Sequence, residues 1–253
     1  WRRTKIVTLS PRMLLVNNSG RDLSVRQDGS DAPNTFLRSG TRVAYHWPDA
    51  SARANARRLR LRPDEYGWDW SGALDPATPG STWLMLRNTV SHAHTRVRVE
   101  SREEGATLHV VVRSAQNRPP PYRIHNLTTL HVEVQQQNAE SGRPHDILPY
   151  RSFDYAWAEP LQPPVLVVKA RVKADVRNDS TLLGRFRLDE LRSYPPTRVK
   201  HPGRDVTTDV YVTVRADGPT RVLMITDGAR APGRGGALGR SGAWSSRVSR
   251  LRA

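Results

Sequence analysis

The sequence predicts an all-β chain built from two tandem antiparallel β-sandwich repeats, with few or no helices. Three observations carry this. Polar and apolar residues alternate with period 2, as in Arg96-Val97-Arg98-Val99-Glu100 and Val210-Tyr211-Val212-Thr213-Val214, the pattern of half-buried strands. Nineteen prolines are scattered through the chain, which works against long helices because proline lacks the amide donor that a helix needs. Finally, the chain repeats itself. Asn17, Ser19, Val25 and Gln27 recur as Asn126, Thr128, Val134 and Gln136, all at a shift of 109 residues; Tyr45 and Trp47 recur as Tyr155 and Trp157 at 110; Gly105 and Thr107 recur as Gly218 and Thr220 at 113. Slow drift in the shift is what loop insertions between repeated strands produce.

The elements follow in order. Leu108–Val112 and Arg221–Ile225 are strands, each joined to its predecessor by a glycine turn, Glu103-Glu104-Gly105-Ala106 and Ala216-Asp217-Gly218-Pro219; such turns supply the positive φ of a tight hairpin. Leu166–Lys173 is a further strand with its cations outward. Ala50–Arg58 is rich in Ala and Arg without an apolar stripe, so it is a loop or a single turn. The repeats are expected at 1–117 and 118–227, divided at Asn117-Arg118-Pro119-Pro120-Pro121, a stiff, extended linker. Residues 228–253, rich in Gly, Ser, Ala and Arg with no acidic residue, are expected to form a flexible basic tail.

The 253 residues carry 40 Lys+Arg against 24 Asp+Glu, a net charge of +16, and no cysteine. Disulfides, thiolate metal sites and cysteine nucleophiles are thereby excluded. Only four of the cations are lysines, so coding bias toward arginine accounts for much of the charge. No run of apolar residues is long enough for a membrane-spanning helix. The start, Trp1-Arg2-Arg3, lacks an initiator Met and suggests a segment of a longer protein.

Chemistry-bearing clusters are sparse. His92-Ala93-His94 lacks a third ligand, and Asp64, Glu65, Asp69 and Asp75 around Tyr66, Trp68 and Trp70 are explained more simply by turn capping than by acid–base catalysis. No catalytic residue, metal site or cofactor is expected. Asn17 and Asn126, each just before a strand, suit clamps that bond the backbone of a neighbouring loop, with ligand contact and glycosylation as the alternatives. The aromatics of Trp68–Gly72 and Tyr155–Pro160 line a peptide groove or fill a core corner.

Ile147-Leu148-Pro149-Tyr150-Arg151-Ser152 followed by Tyr155-Ala156-Trp157-Ala158-Glu159-Pro160 resembles the leucine-proline, tyrosine-alanine-tryptophan-aspartate-glutamate-proline signature of the vacuolar protein sorting-associated thirteen family of bridge-like lipid-transfer proteins, in its adaptor-binding domain. Arg123–Asn126, Tyr66–Ser71 and Ala216–Leu223 match further parts. Ala158 stands where the signature has an acidic residue, and Trp47-Pro48-Asp49 departs further. The resemblance covers about residues 5–227. It implies six β-sandwich repeats, of which these are the last two, each with a near-invariant asparagine, here Asn17 and Asn126. It further implies a non-enzymatic module that binds Pro-x-Pro motifs of organelle adaptors, belongs to a larger lipid-transfer protein, and places it in the cytoplasm, peripheral at organelle membranes and contact sites. The peptide would lie near residues 118–136, against Tyr122, Ile124, Val132, Val134, Tyr155 and Trp157. The competing reading is a basic module that grips nucleic acid or an anionic membrane through its arginines; of these partners nucleic acid is not expected.

Overall fold

The computed structural model describes residues 9–50, 57–139, 144–172, 180–201 and 206–228. Among them are seventeen strands and no helix. The N-terminal half contains β1 (Met13–Asn18), β2 (Leu23–Gln27), β3 (Thr35–Leu37), β4 (Arg42–Ala44), β5 (Leu59–Pro63), β6 (Gly80–Arg87), β7 (His94–Glu104) and β8 (Thr107–Ser114). The C-terminal half contains β9 (Tyr122–Leu127), β10 (His131–Gln136), β11 (His145–Ile147), β12 (Ser152–Tyr155), β13 (Val165–Arg171), β14 (Thr181–Arg187), β15 (Thr197–Lys200), β16 (Thr207–Asp217) and β17 (Thr220–Asp227). Residues 51–56 of the Ala/Arg-rich stretch, Lys173 at the end of the expected Leu166–Lys173 strand, and the basic tail after Gly228 lie outside the described residues.

Each half is a sandwich. In the first, a five-stranded sheet ordered β4-β1-β8-β7-β6 faces a three-stranded sheet ordered β3-β2-β5; in the second, β12-β9-β17-β16-β15 faces β11-β10-β13-β14. Pairing is antiparallel except that the first strand of each half runs parallel to its last, β1 with β8 and β9 with β17. That pairing brings the two ends of each half side by side.

Alternation decides which residues fill the core. Leu23 and Val25 of β2 and Leu59 and Leu61 of β5 meet Leu15, Val97, Val99, Val110 and Val112 from the facing sheet. Val132, Val134, Leu166 and Val168 meet Ile124, Val210, Val212, Leu223 and Ile225 in the second half. Each such side chain, taken out of water, contributes about 1.5–3 kcal/mol.

Both glycine hairpins form as the sequence predicts. Glu104 pairs with Thr107 and Asp217 with Thr220, leaving two-residue loops that begin at Gly105 (φ 61°) and Gly218 (φ 55°). A positive φ at the first loop residue only is the type II′ pattern, whose twist matches that of the strands. It also leaves Pro219 a second position that its ring tolerates.

The prolines before β9 are not a free spacer. The Thr220 hydroxyl donates to the Pro120 carbonyl at 2.7 Å, and the Arg221 amide donates to that of Pro121 at 2.9 Å. The first half has the same arrangement, with Thr107 donating to Pro11 at 2.8 Å and the Leu108 amide to Arg12 at 2.9 Å. The matched Thr107 and Thr220 therefore each pin the incoming chain to the last hairpin.

Candidate functional site

Two buried amides organise each half. Asn17 is fully buried; its Nδ2 donates to the carbonyls of Arg21 (2.7 Å) and Leu37 (2.8 Å), and its Oδ1 accepts from the Ser19 amide (3.0 Å) and hydroxyl (2.7 Å). Asn126 repeats this and adds one bond: Nδ2 donates to Leu130 (2.8 Å), Ile147 (3.1 Å) and Leu148 (3.0 Å), while Oδ1 accepts from the Thr128 amide (3.1 Å) and hydroxyl (2.7 Å). A primary amide suits the task because it offers donors and an acceptor on one short stem. Both asparagines thus tie the β1–β2 or β9–β10 turn to the chain following β3 or β11. Both amides are at zero exposure and bond the backbone of their own turns.

A second pair of amides went without a role in the sequence reading, although the repeat match contained it. Gln27 exchanges two bonds with the backbone of Asp49, at 2.9 and 3.2 Å. Gln136 does the same with Glu159, at 3.0 and 2.8 Å. These clamps hold the loops that carry Trp47 and Trp157. The tyrosine two residues earlier meets each tryptophan edge-on: Tyr45 and Trp47 at 5.5 Å, Tyr155 and Trp157 at 5.2 Å.

The halves meet at β6. Its outer edge is open within its own sheet, and the Met85 amide donates across to the Trp157 carbonyl at 3.1 Å. The Gly72 amide donates to the Ala158 carbonyl at 3.0 Å. A Cβ at Gly72 would lie 2.7 Å from the Glu159 Cα and against the Ala158 carbonyl, so only glycine fits. Met85 packs into the core of the second half. Arg96 and Arg123 both hold Asp154 at 2.8 Å; burial opposes the charge on this carboxylate, but the bonds from the two guanidinium groups outweigh it and keep its pKa below the ordinary value. Beside them His94 and His145 stack at 4.7 Å, both against Phe153, at a cleft of about 690 Å³ that Arg87, Glu133 and Asp146 also line. Burial, His94 and Arg87 push the His145 pKa down to about 3.

Four of the six expected groove residues lie in the core. Ile124, Val132 and Val134 are 0% exposed and Tyr155 is 2% exposed, because they sit at inward positions of paired strands. Moreover, β9 lies between β12 and β17, and β10 between β11 and β13, so residues 118–136 offer no open edge to an added strand. Tyr122 and Trp157 are partly buried and pack together at 5.2 Å. The Tyr122 hydroxyl donates to Asp189 at 2.9 Å, and burial pushes its pKa up to about 12.

The acidic cluster also resolves into structure. Asp64 accepts from Ser24 at 2.6 Å, Glu65 pairs with Arg21 at 3.4 Å, and Asp75 caps the turn at Ala77 and Thr78. Among the described residues, no three His, Asp or Glu side chains converge as a metal site.

In the second half the two sheets end side by side at β14 and β15, where the Thr197 hydroxyl donates to the Leu183 carbonyl at 3.1 Å. Tyr194, whose amide donates to Val212 of β16 at 2.9 Å, meets Phe186 edge-on at 4.7 Å. β14 pairs only with β13, and β15 only with β16. Leu182 on β14 is 47% exposed. The equivalent seam of the first half is closed by Tyr66–Leu74: Trp68 bridges to Asn88 beyond β6, and Leu74 bridges to Leu59 of β5.

The model of the vacuolar-sorting associated protein 13 adaptor binding domain matches residues 1–163. The chain is 24% identical over 240 residues to intermembrane lipid transfer protein vps13E of Dictyostelium discoideum, covering 89% of this chain and 5% of that protein. It is 29% identical over 177 residues to VPS13D of Homo sapiens, covering 66% and 4%. It is 25% identical over 242 residues to VPS13 of Chaetomium thermophilum, covering 90% and 7%. The chain thus spans a small fraction of each relative, and the family match takes in the clamp asparagines and the Tyr155–Pro160 junction loop. With more than half its length matched, the chain belongs to the VPS13 adaptor-binding-domain family.

Proposed function

We propose that this chain is a non-enzymatic adaptor-binding module of a larger lipid-transfer protein. It recognises Pro-x-Pro segments of organelle adaptors and so holds its parent protein peripherally at membrane contact sites. Residues 1–117 and 118–227 act as two repeats, with 228–253 as a basic tail.

The observation that carries the mechanism is β14, the terminal strand of the smaller sheet, on which Leu182 is exposed beside the Leu183 carbonyl that Thr197 holds. A Pro-x-Pro segment is already extended, so little chain freedom is lost when it lies along a strand edge, and its prolines fill apolar pockets while the residue between them bonds the backbone. Leu182 supplies apolar surface at that edge. Asn126 supports the site indirectly, by holding the second sandwich in shape.

Fluorescence anisotropy of a labelled Pro-x-Pro peptide, with a proline-to-alanine control and a salt series, tests the reading. Saturable binding that needs the prolines and survives high salt is expected, as is at least a several-fold loss with Leu182→Lys. Binding that ignores the prolines and disappears with salt would replace this reading with an electrostatic one. Proline-dependent binding untouched by Leu182→Lys would move the peptide away from β14.

A further inference from the structure

The outer face of the β3-β2-β5 sheet carries Arg26, Arg60 and Arg62, with Asp28 and Asp31 as the acidic groups that act on Arg26. Arg26 of β2 stands directly opposite Arg60 of β5, and Ser24, two residues earlier, stands opposite Arg62. Like charges facing each other across a strand pair are destabilising. Asp28 pairs with Arg60, but among the described residues no carboxylate lies within ion-pair distance of Arg26 or Arg62. Burial first, and then the neighbouring Arg60 charge, depress the pKa of Arg26.

What holds these two guanidinium groups is Trp70. Arg26 lies 4.3 Å and Arg62 4.6 Å from its ring centroid. The ring itself is fixed by its neighbour Ser71, whose amide donates to the Leu61 carbonyl at 2.9 Å and whose hydroxyl accepts from the Leu61 amide at 3.0 Å. Stacking on an aromatic face leaves the in-plane donors of a guanidinium free to bond an oxyanion in bidentate fashion. In the same cross-strand row as Ser24 and Arg62 stands Phe36, outward on β3 and 46% exposed.

We propose that this face docks directly on an anionic bilayer, with Arg26 and Arg62 on lipid phosphates and Phe36 entering the interfacial layer. Three features favour a membrane over an acidic peptide. The cations project from the face of the sheet, not along a hydrogen-bonding edge where a peptide would gain backbone bonds. Arg26, Arg62 and Trp70 are partly exposed together on that face. The face also places a bare aromatic ring beside the cations, a combination that headgroup regions reward. The contact is separate from peptide recognition, since β14 belongs to the other half.

Co-sedimentation of the full chain with phosphatidylcholine vesicles, with and without phosphatidylserine, tests this. Selective binding to the phosphatidylserine vesicles is expected. Arg26→Gln with Arg62→Gln should weaken it on the order of tenfold or more, since each cation near an anionic surface contributes about 1 kcal/mol. Phe36→Ser should weaken it further. Arg26→Lys with Arg62→Lys retains charge while losing the stacked, forked donors, and is expected to fall between; it serves as the second test should the Gln pair unfold, as read from the melting transition. A third variant, with the six arginines beyond Asp227 changed to Gln, should keep most of the binding. Equal binding by the Gln and wild-type chains, or loss confined to the tail variant, overturns the proposal. Release from the vesicles by soluble polyglutamate at matched charge, with Phe36→Ser unaltered, also overturns it and assigns the face to an acidic protein. Failure of the Pro-x-Pro assay leaves these outcomes unaffected.

Discussion

The two halves share their clamps and differ at their seams. Asn17, Gln27 and Thr107 in the first half make the same kinds of backbone bonds as Asn126, Gln136 and Thr220 in the second. Their open sides are treated differently. Tyr66–Leu74 crosses from β5 to β6 in the first half, closing it and supplying Gly72 to the contact with its neighbour. In the second half β14 extends the smaller sheet. The crossing there is made by Arg192–Tyr194, which pairs with β16 and sets Tyr194 against Phe186, while Thr197 holds the Leu183 carbonyl. One repeat plan thus yields a sandwich whose crossing segment docks on its neighbour and a sandwich whose smaller sheet gains a terminal strand, β14. An unpaired edge is a template for another strand, so an edge kept open in a β protein is a place to look for a partner.

The comparison breaks most sharply at the asparagines. Removing the Asn126 amide strips partners from the carbonyls of Leu130, Ile147 and Leu148, whereas Asn17 serves two carbonyls. With a stranded buried group costing about 1–3 kcal/mol, Asn126→Ala is expected to destabilise by roughly 4 kcal/mol and Asn17→Ala by roughly 3. Urea unfolding measures both. Equal losses would show that the extra bond of Asn126 is energetically idle, and an unchanged melting temperature with lost peptide binding would make Asn126 a contact residue after all.

Gly72→Ala comes next. It forces atoms apart between the halves without touching either core, so a loss of about 1–3 kcal/mol is expected. The two halves should then unfold at separable midpoints, visible by calorimetry. A single unshifted transition would mean that Met85 and Arg96 suffice to couple them.

Acid weakens the same junction. His145 is held neutral down to about pH 3 in the fold, against an ordinary 6.5 in the unfolded chain. His94 is shifted in the same direction, by burial and by Arg87 and His92. Below 6.5 the unfolded state takes up protons that the native state refuses, so stability falls as pH drops from that value toward 3. The loss is roughly 1–2 kcal/mol by about pH 5. Denaturation at the two pH values checks it, and His145→Phe, which keeps the ring stack, should flatten the decline.

The smallest effect concerns Tyr45, whose buried hydroxyl has no hydrogen-bond partner among the described residues and whose pKa burial raises to about 12. Tyr45→Phe keeps the edge contact with Trp47 and removes a stranded polar group, so a gain of about 0.5–1 kcal/mol is expected. A loss would reveal a bond formed in solution.

Much of the fold was legible in the sequence for a local reason. Alternation dictates which face of a strand is apolar, glycine at a two-residue loop dictates a hairpin, and a repeated asparagine before a strand points to a repeated turn. The site was less legible. Ile124, Val132, Val134 and Tyr155 read as groove candidates because alternation distinguishes two faces but does not say whether another sheet covers the apolar one. Gln27 and Gln136 were visible as a repeat match, but their partners lie 22 and 23 residues away, beyond the reach of a local rule. Gly72 carried no signal, since its need for a bare Cα arises from the distant loop at Ala158 and Glu159.

By itself, then, the sequence determined the all-β class, the repeat, the hairpins and the likeness to an adaptor-binding family, all of which follow from short-range patterns of polarity and turn chemistry. Only the tertiary structure decided which strand edges stay open, which aromatics are core, and where arginines meet around Trp70. Those outcomes depend on which sheet covers which face, and that is settled by packing between segments far apart in the chain.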